Sequence, residues 1–103
     1  MGLLMKITVS PAAKNWFVSE LELAENAGIR FFGKYGGATN VHTGFTTGME
    51  ITSPAEETLG QVEFDQVMFF TNHTDDWFFH GYDLVVDYDA NKNEPTYFYT
   101  EAN

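Results

Sequence analysis

The sequence predicts an α+β fold: a small, mixed, mostly antiparallel β-sheet with two short helices. The chain has 103 residues, of which 44% are hydrophobic and 17% aromatic, so it suits a single domain with a buried aromatic core. Apolar and polar side chains alternate along several short segments, which is typical of half-buried strands. The connections between these segments are short, which favours antiparallel pairing.

The first elements are a strand, a helix and a second strand. Residues 5–9 predict a short strand. Ser10 and Pro11 predict a helix start, because the serine side chain caps free amide groups and proline suits the first turn. Residues 25–28 are expected to end this helix, and residues 28–32 predict the next strand. Spacings of three and four place the following residues on one helix face: Ala13, Trp16, Phe17 and Leu21.

The middle of the chain contains glycine-rich, alternating and acidic segments. Residues 33–38 are expected to form a loop in which glycine permits positive φ angles. Residues 45–51 alternate in polarity and predict a half-buried strand. Residues 54–60 predict an acidic loop, and residues 61–65 predict another alternating strand.

The last third predicts a buried strand, a short helix and a hairpin. Residues 67–71 are continuously apolar, as expected of a strand buried on both faces. Residues 72–74 can cap a short helix that ends at Gly81. Residues 83–89 and 96–100 predict two strands joined by a turn.

The aromatic residues divide into core and surface candidates. Trp77 and Phe79 flank the short helix and are expected to be partly exposed, as a patch for self-association. The expected core aromatics are Trp16, Phe17, Phe31, Phe64, Phe69, Phe78 and Tyr97.

Charge and composition exclude several classes of function. Fifteen acidic and five basic residues give a net charge of −10, which disfavours nucleic acid and anionic lipid and favours solubility or a basic partner. No apolar run approaches the roughly 20 residues that cross a bilayer, and no signal peptide is recognisable. The sequence therefore predicts a cytoplasmic protein. Serine and histidine residues lack the context of a catalytic triad, and no cysteine is present, so we expect no enzyme activity.

Several segments resemble the HesB/IscA-type family, the A-type iron–sulfur carriers. Residues 7–13 resemble the start of its core domain, residues 28–31 its next strand, and residues 97–103 the strand that closes the core. Tyr35-Gly36-Gly37 and residues 77–88 are similar to a cysteine-free branch of the family. The resemblance implies one HesB-like core domain over residues 1–103, a homodimer, and protein partners in the iron–sulfur assembly system.

The same resemblance implies that the usual cluster ligands are missing. Ala38 occupies the position of the first cluster-binding cysteine, and the chain contains no cysteine. Thiolates are the usual ligands of iron–sulfur clusters. We therefore expect no cofactor, and the alternative is iron or another divalent metal held by other side chains.

Two sets of site residues follow. As an interaction loop on a rigid scaffold we expect Tyr35, Gly36, Gly37, Ala38, Asn40 and His42. As metal ligands we consider His73, Asp76 and His80, because Asp76 and His80 lie four residues apart on a helix. A third ligand would come from His42 or Asp83. The competing interpretation is that these aspartates and histidines only stabilise the helix ends.

A row of carboxylates accompanies the late strand. Asp83, Asp87 and Asp89 alternate along it and suit a hard cation or a basic peptide. Their more common role is to protect a solvated edge strand from aggregation, which we favour.

The leading hypothesis is a non-enzymatic HesB-like protein, linked to iron–sulfur cluster assembly or iron handling, that acts through protein contacts. The alternatives are direct metal binding through histidine and aspartate, and a repurposed domain that binds a small ligand or peptide.

Overall fold

Two β-sheets and two short helices make up residues 5–23, 27–38, 43–53 and 58–101, the part that the computed structural model describes. The strands are β1 (Ile7–Val9), β2 (Gly28–Ala38), β3 (Thr43–Ile51), β4 (Thr58–Phe64), β5 (Val67–Asn72), β6 (Tyr82–Asp89) and β7 (Glu94–Glu101). The helices are α1 (Pro11–Leu21) and α2 (Asp76–Phe79), and α2 directly follows a 3₁₀ turn at His73–Asp75. The predicted α+β class is confirmed.

The strands form a three-stranded sheet, in the order β1-β6-β7, and a four-stranded sheet, in the order β3-β2-β5-β4. The pairs β2–β3, β4–β5 and β6–β7 are antiparallel, whereas β1–β6 and β2–β5 are parallel. Antiparallel pairing predominates, as predicted. The division into two sheets was not predicted, because β1 pairs with β6 through Ile7 and Leu84, far apart in the chain.

Helix α1 starts where the sequence predicts, but it ends earlier than predicted. Ser10 caps the helix, and its hydroxyl oxygen accepts a hydrogen bond from the Ala13 amide at 3.1 Å. The helix ends at Leu21, before the predicted end at residues 25–28. Glu22 adopts a left-handed conformation, with φ 49°, and its amide donates to the Val18 carbonyl. This left-handed residue closes the helix early.

The predicted glycine-rich loop at residues 33–38 is wrong, because β2 continues through it to Ala38. Tyr35 pairs with Phe45 of β3, and Ala38 pairs with Thr43 after a shift in register. Gly36 lies at this irregularity with φ +110°, a value that glycine adopts without strain. The glycine therefore interrupts a strand pair, and pairing with β3 outweighs the low strand propensity of the segment.

One further boundary and one assignment need correction. β4 begins at Thr58, inside the predicted acidic loop. β6 lies between β1 and β7, so its carboxylates are not on an edge strand. All three accept hydrogen bonds from backbone amides: Asp83 from Lys6 at 2.9 Å, Asp87 from Tyr88 at 2.8 Å, and Asp89 from Asn91 at 3.0 Å. Because they satisfy backbone amides, these carboxylates serve the fold directly.

The core lies between the two sheets and is largely aromatic. Phe31 of β2 and Phe69 of β5 are fully buried, and their ring centroids are 6.1 Å apart. Phe17 of α1 packs on both rings, and Tyr97 of β7 meets Phe31 at 5.9 Å. Phe79 is only 1% exposed, so its predicted exposure is wrong. Three strands and α1 thus supply the rings of one cluster.

Burial of the tyrosines on β7 makes stability sensitive to alkaline pH. Burial raises the pKa of Tyr97, with a smaller effect from the nearby Tyr99 and Glu94. Burial also raises the pKa of Tyr99. In the unfolded chain a tyrosine loses its proton near pH 10. The stabilisation is therefore complete below about pH 10 and is lost as pH rises toward the folded values.

We expect Tyr97→Phe to reduce this loss. Urea unfolding of the wild type should show a free energy of unfolding that falls between about pH 9 and pH 11, because only the unfolded chain ionises readily there. The variant should fall less steeply, with Tyr99 supplying the remaining slope. Tyr35→Phe, which removes a hydroxyl from an exposed ring, is the matched control and should keep the wild-type slope. Equal slopes in all three proteins would contradict the prediction.

Candidate protein-interaction surface

Three aromatic side chains, Tyr35, Phe45 and Trp77, form a row that we call the aromatic surface. Tyr35 and Phe45 are paired across β2 and β3, and their rings meet edge to face with centroids 5.6 Å apart. Phe45 meets Trp77 of α2 at 5.3 Å, again edge to face. Tyr35 is 85% exposed and Trp77 is 52% exposed. Two exposed rings are thus joined through the half-buried ring of Phe45.

The aromatic surface is anchored to the core through Phe78. The Trp77 and Phe78 rings are 5.6 Å apart, and Phe78 is almost completely buried. Phe78 lies directly on Gly33 of β2, where an added Cβ would come within 2.7 Å of the ring. Because Gly33 has no side chain, α2 can lie close to β2. This close approach brings Trp77 to Phe45 and makes the surface a rigid part of the fold.

The predicted interaction residues fall partly on this surface. Tyr35 belongs to it, Gly36 forms the adjoining irregularity, and Gly37 and Ala38 continue β2. Asn40 and His42 lie outside the described residues. Phe45 and Trp77 were not among the predicted site residues, although the exposure of Trp77 was expected. Nothing local in the sequence shows that residue 77 meets residue 45, because that contact depends on the packing of α2 against β2.

Two of the three predicted metal ligands, Asp76 and His80, are in contact with each other. His80 Nδ1 lies 3.1 Å from Asp76 Oδ2, at the helical spacing of four, and the His80 side chain is 81% exposed. His73 lies in the 3₁₀ turn before α2. Among the residues that the structure describes, no three histidine, aspartate or glutamate side chains are grouped so as to hold a metal ion. Here the structure shows a hydrogen-bonding contact between Asp76 and His80 on the surface of α2.

A groove of about 370 Å³ lies between α1 and the turn that joins β6 to β7. Trp16 Nε1 donates to the Asn93 carbonyl at 3.0 Å, and the Tyr88 hydroxyl donates to the Asn93 side chain. The two aromatic donors are therefore satisfied within the chain and do not point to a ligand. The groove is lined by Ala12, Asn15, Trp16, Ser19, Glu20, Tyr88 and Asn93.

Comparison with known proteins identifies relatives over nearly the whole chain. Over 95 residues it is 37% identical to a Bacillus subtilis (strain 168) protein named pyruvate dehydrogenase inhibitor, a match that spans 92% of this chain and 99% of that protein. The chain belongs to the family of that inhibitor. Uncharacterized proteins of Staphylococcus aureus strains USA300 and Mu50 are 28% identical to this chain over 95 residues, which span 90% of this chain and 97% of each of those proteins. No family model matches the chain.

Membership of the inhibitor's family corrects the assignment made from sequence. Identification as a HesB/IscA-type iron–sulfur carrier is wrong, because the named relative is an inhibitor and no carrier family model matches. A role in iron–sulfur assembly or iron handling is wrong for the same reason, and neither metal binding nor small-ligand binding gains support. The resemblance consisted of short strand and turn segments, which carry fold more than function. The chemistry agrees with the correction, since the chain has no cysteine.

Within the described ranges, no helix has the length and apolar character needed to cross a membrane.

Proposed function

We propose that this protein inhibits pyruvate dehydrogenase by binding to it, and that it has no catalytic activity of its own. The observation that carries the proposal is the 37% identity to the B. subtilis pyruvate dehydrogenase inhibitor, over nearly the full length of both chains. Because the match leaves out few residues of either protein, the two share the whole fold and not one segment.

The geometry is consistent with inhibition by protein contact. The described residues present rigid aromatic side chains at the surface, on strands and a short helix that are fixed to the core. An inhibitor that acts by contact needs a preorganised surface, because side chains that are already ordered lose little entropy on binding. The prediction that this chain acts through protein partners is retained, with a different partner.

The test is a titration of enzyme activity. Purified pyruvate dehydrogenase, from the organism that makes this protein, is assayed for pyruvate turnover with increasing amounts of the chain. We expect activity to fall and to level off near a stoichiometric ratio of chain to enzyme, with a complex of the two visible by gel filtration. An unrelated acidic protein of similar size and net charge is the control for non-specific effects. Full activity at a large excess of the chain, with no complex, would refute the proposal.

A further inference from the structure

We propose that the aromatic surface docks on a basic segment of pyruvate dehydrogenase, whose arginine or lysine side chains lie against the rings of Tyr35 and Trp77. The inference rests on the proposed function and specifies the contact through which it operates. Three properties of the surface support it: the residue types, their fixed positions, and the charge of the protein around them.

The residue types and their exposure indicate a binding surface. Tyrosine and tryptophan are enriched among the few residues that dominate binding energy at protein interfaces. Tyr35 is 85% exposed and Trp77 is 52% exposed, so each can bury a large area on a partner. Phe45 lies between them, in edge-to-face contact with both. The three rings form one continuous surface.

The positions of the rings are fixed before any partner binds. Tyr35 lies on β2, paired with β3, and is followed by the glycine irregularity at Gly36. Trp77 is held by the ring contact with Phe78, which is buried on Gly33. Because these side chains have few rotatable bonds and packed neighbours, little conformational freedom is lost on binding.

The charge of the protein favours a basic occupant over a second copy. The net charge is −10, so long-range repulsion opposes the approach of a second copy and favours that of a basic segment. Of the five basic residues, Lys14 already pairs with Asp65 at 2.6 Å and Arg30 pairs with Glu50 at 2.7 Å. Beside the rings, Asp76 precedes Trp77, and its side chain is 45% exposed.

Cations add a specific attraction for this surface. The faces of tyrosine and tryptophan attract arginine and lysine side chains, and tryptophan does so most strongly. A basic segment therefore gains from the rings and from the negative net charge of the protein at once. A purely apolar segment would gain only from contact with the rings, and an acidic segment would gain from neither attraction.

The experiment measures the dissociation constant for purified pyruvate dehydrogenase with wild type and with Tyr35→Ala, Trp77→Ala and Phe98→Ala. We expect the first two variants to bind about tenfold to a hundredfold more weakly and to lose inhibition in parallel. Phe98→Ala is the matched control, because Phe98 is an aromatic residue of similar exposure (51%) on β7, and it should bind within about twofold of wild type.

Two further measurements test the chemistry of the occupant. Tyr35→Phe and Trp77→Phe keep a ring and should retain most of the affinity, whereas Tyr35→Lys should bind more weakly than Tyr35→Ala, because it places a cation against cations. Wild-type affinity should also fall as salt is raised from about 50 to 300 mM, since attraction between exposed opposite charges is screened. Circular dichroism of each variant is used to check that it is folded.

The outcomes separate this inference from the proposed function. If wild type neither binds nor inhibits, the proposed function fails. If wild type inhibits but Tyr35→Ala and Trp77→Ala bind equally well, the function stands and the docking surface is wrong. If binding is independent of salt and Tyr35→Lys binds as well as Tyr35→Ala, the occupant is not basic. If wild type is a dimer that Trp77→Ala dissociates, the surface is occupied by a second copy and the inference is overturned.

Discussion

Replacing Phe31 with alanine is expected to lower the free energy of unfolding by about 4 kcal/mol. Phe31 is fully buried and its ring meets those of Phe17, Phe69 and Tyr97, which come from α1, β5 and β7. The substitution leaves a cavity among three rings on α1, β5 and β7, which cannot collapse together without moving these elements. Small domains are stable by only about 5–15 kcal/mol, so the loss is a large fraction of the total.

The measurement is urea unfolding followed by circular dichroism. Phe98→Ala is the matched control, because the same ring is removed from a site that is 51% exposed, and it should cost less than about 1 kcal/mol. Similar losses for the two variants would mean that Phe31 does not organise the core.

Replacing Asp75 with alanine is expected to cost about 2–3 kcal/mol. Asp75 is 2% exposed, and Oδ2 accepts from Arg30 Nε at 3.0 Å and from the Asn72 amide at 2.7 Å, while Oδ1 accepts from Arg30 Nη2. The substitution leaves the guanidinium and a backbone amide without their acceptor. The cost is moderated because the Arg30 side chain is 24% exposed and keeps Glu50 as a partner.

Glu50→Gln is the control for the same ion-pair network. The Glu50 side chain is 46% exposed, and exposed ion pairs contribute little, so the expected cost is below about 1 kcal/mol. Asp75→Asn keeps the volume and one oxygen acceptor and should lie between the two. If Asp75→Ala costs no more than Glu50→Gln, the pair between Arg30 and Asp75 does not hold the 3₁₀ turn to β2.

The two pairs of variants distinguish the core from the contact that places α2. Phe31 belongs to the core between the sheets, whereas Asp75 ties the turn before α2 to β2 through Arg30. Trp77 follows that turn, so the position of the docking surface depends on the pair between Arg30 and Asp75. We therefore expect Asp75→Ala to weaken binding to pyruvate dehydrogenase as well as stability, and Glu50→Gln to leave both nearly unchanged.

The functional assignment from sequence failed for a chemical reason that was already visible. Segments such as residues 28–31 specify strands, and strands of this kind serve many unrelated functions. The position of Ala38 and the absence of cysteine excluded the usual cluster chemistry, yet the family resemblance still directed the hypothesis toward iron. The expectation of action through protein contacts came from the same resemblance together with the missing cysteines, and only its general form, a protein partner, carries over to the proposed function.

What the sequence alone determined is local. Ser10 and Pro11 start α1 because capping involves neighbouring residues, and alternation predicts the strands because side chains on a strand point to opposite faces. The acidic charge and the number of aromatic residues also follow from composition. The sequence also proposed Tyr35 as an interaction residue, a prediction that the binding measurements test, and its side chain is 85% exposed.

Only the tertiary structure decided which residues far apart in the sequence come into contact. It pairs β1 with β6, places the Phe78 ring directly against Gly33, and brings Trp77 into contact with Phe45. These contacts depend on how two sheets and α2 pack, and no local pattern in the chain records that arrangement. The physical reason is that burial and ring contacts are properties of the assembled core, whereas capping and alternation are properties of neighbours in sequence.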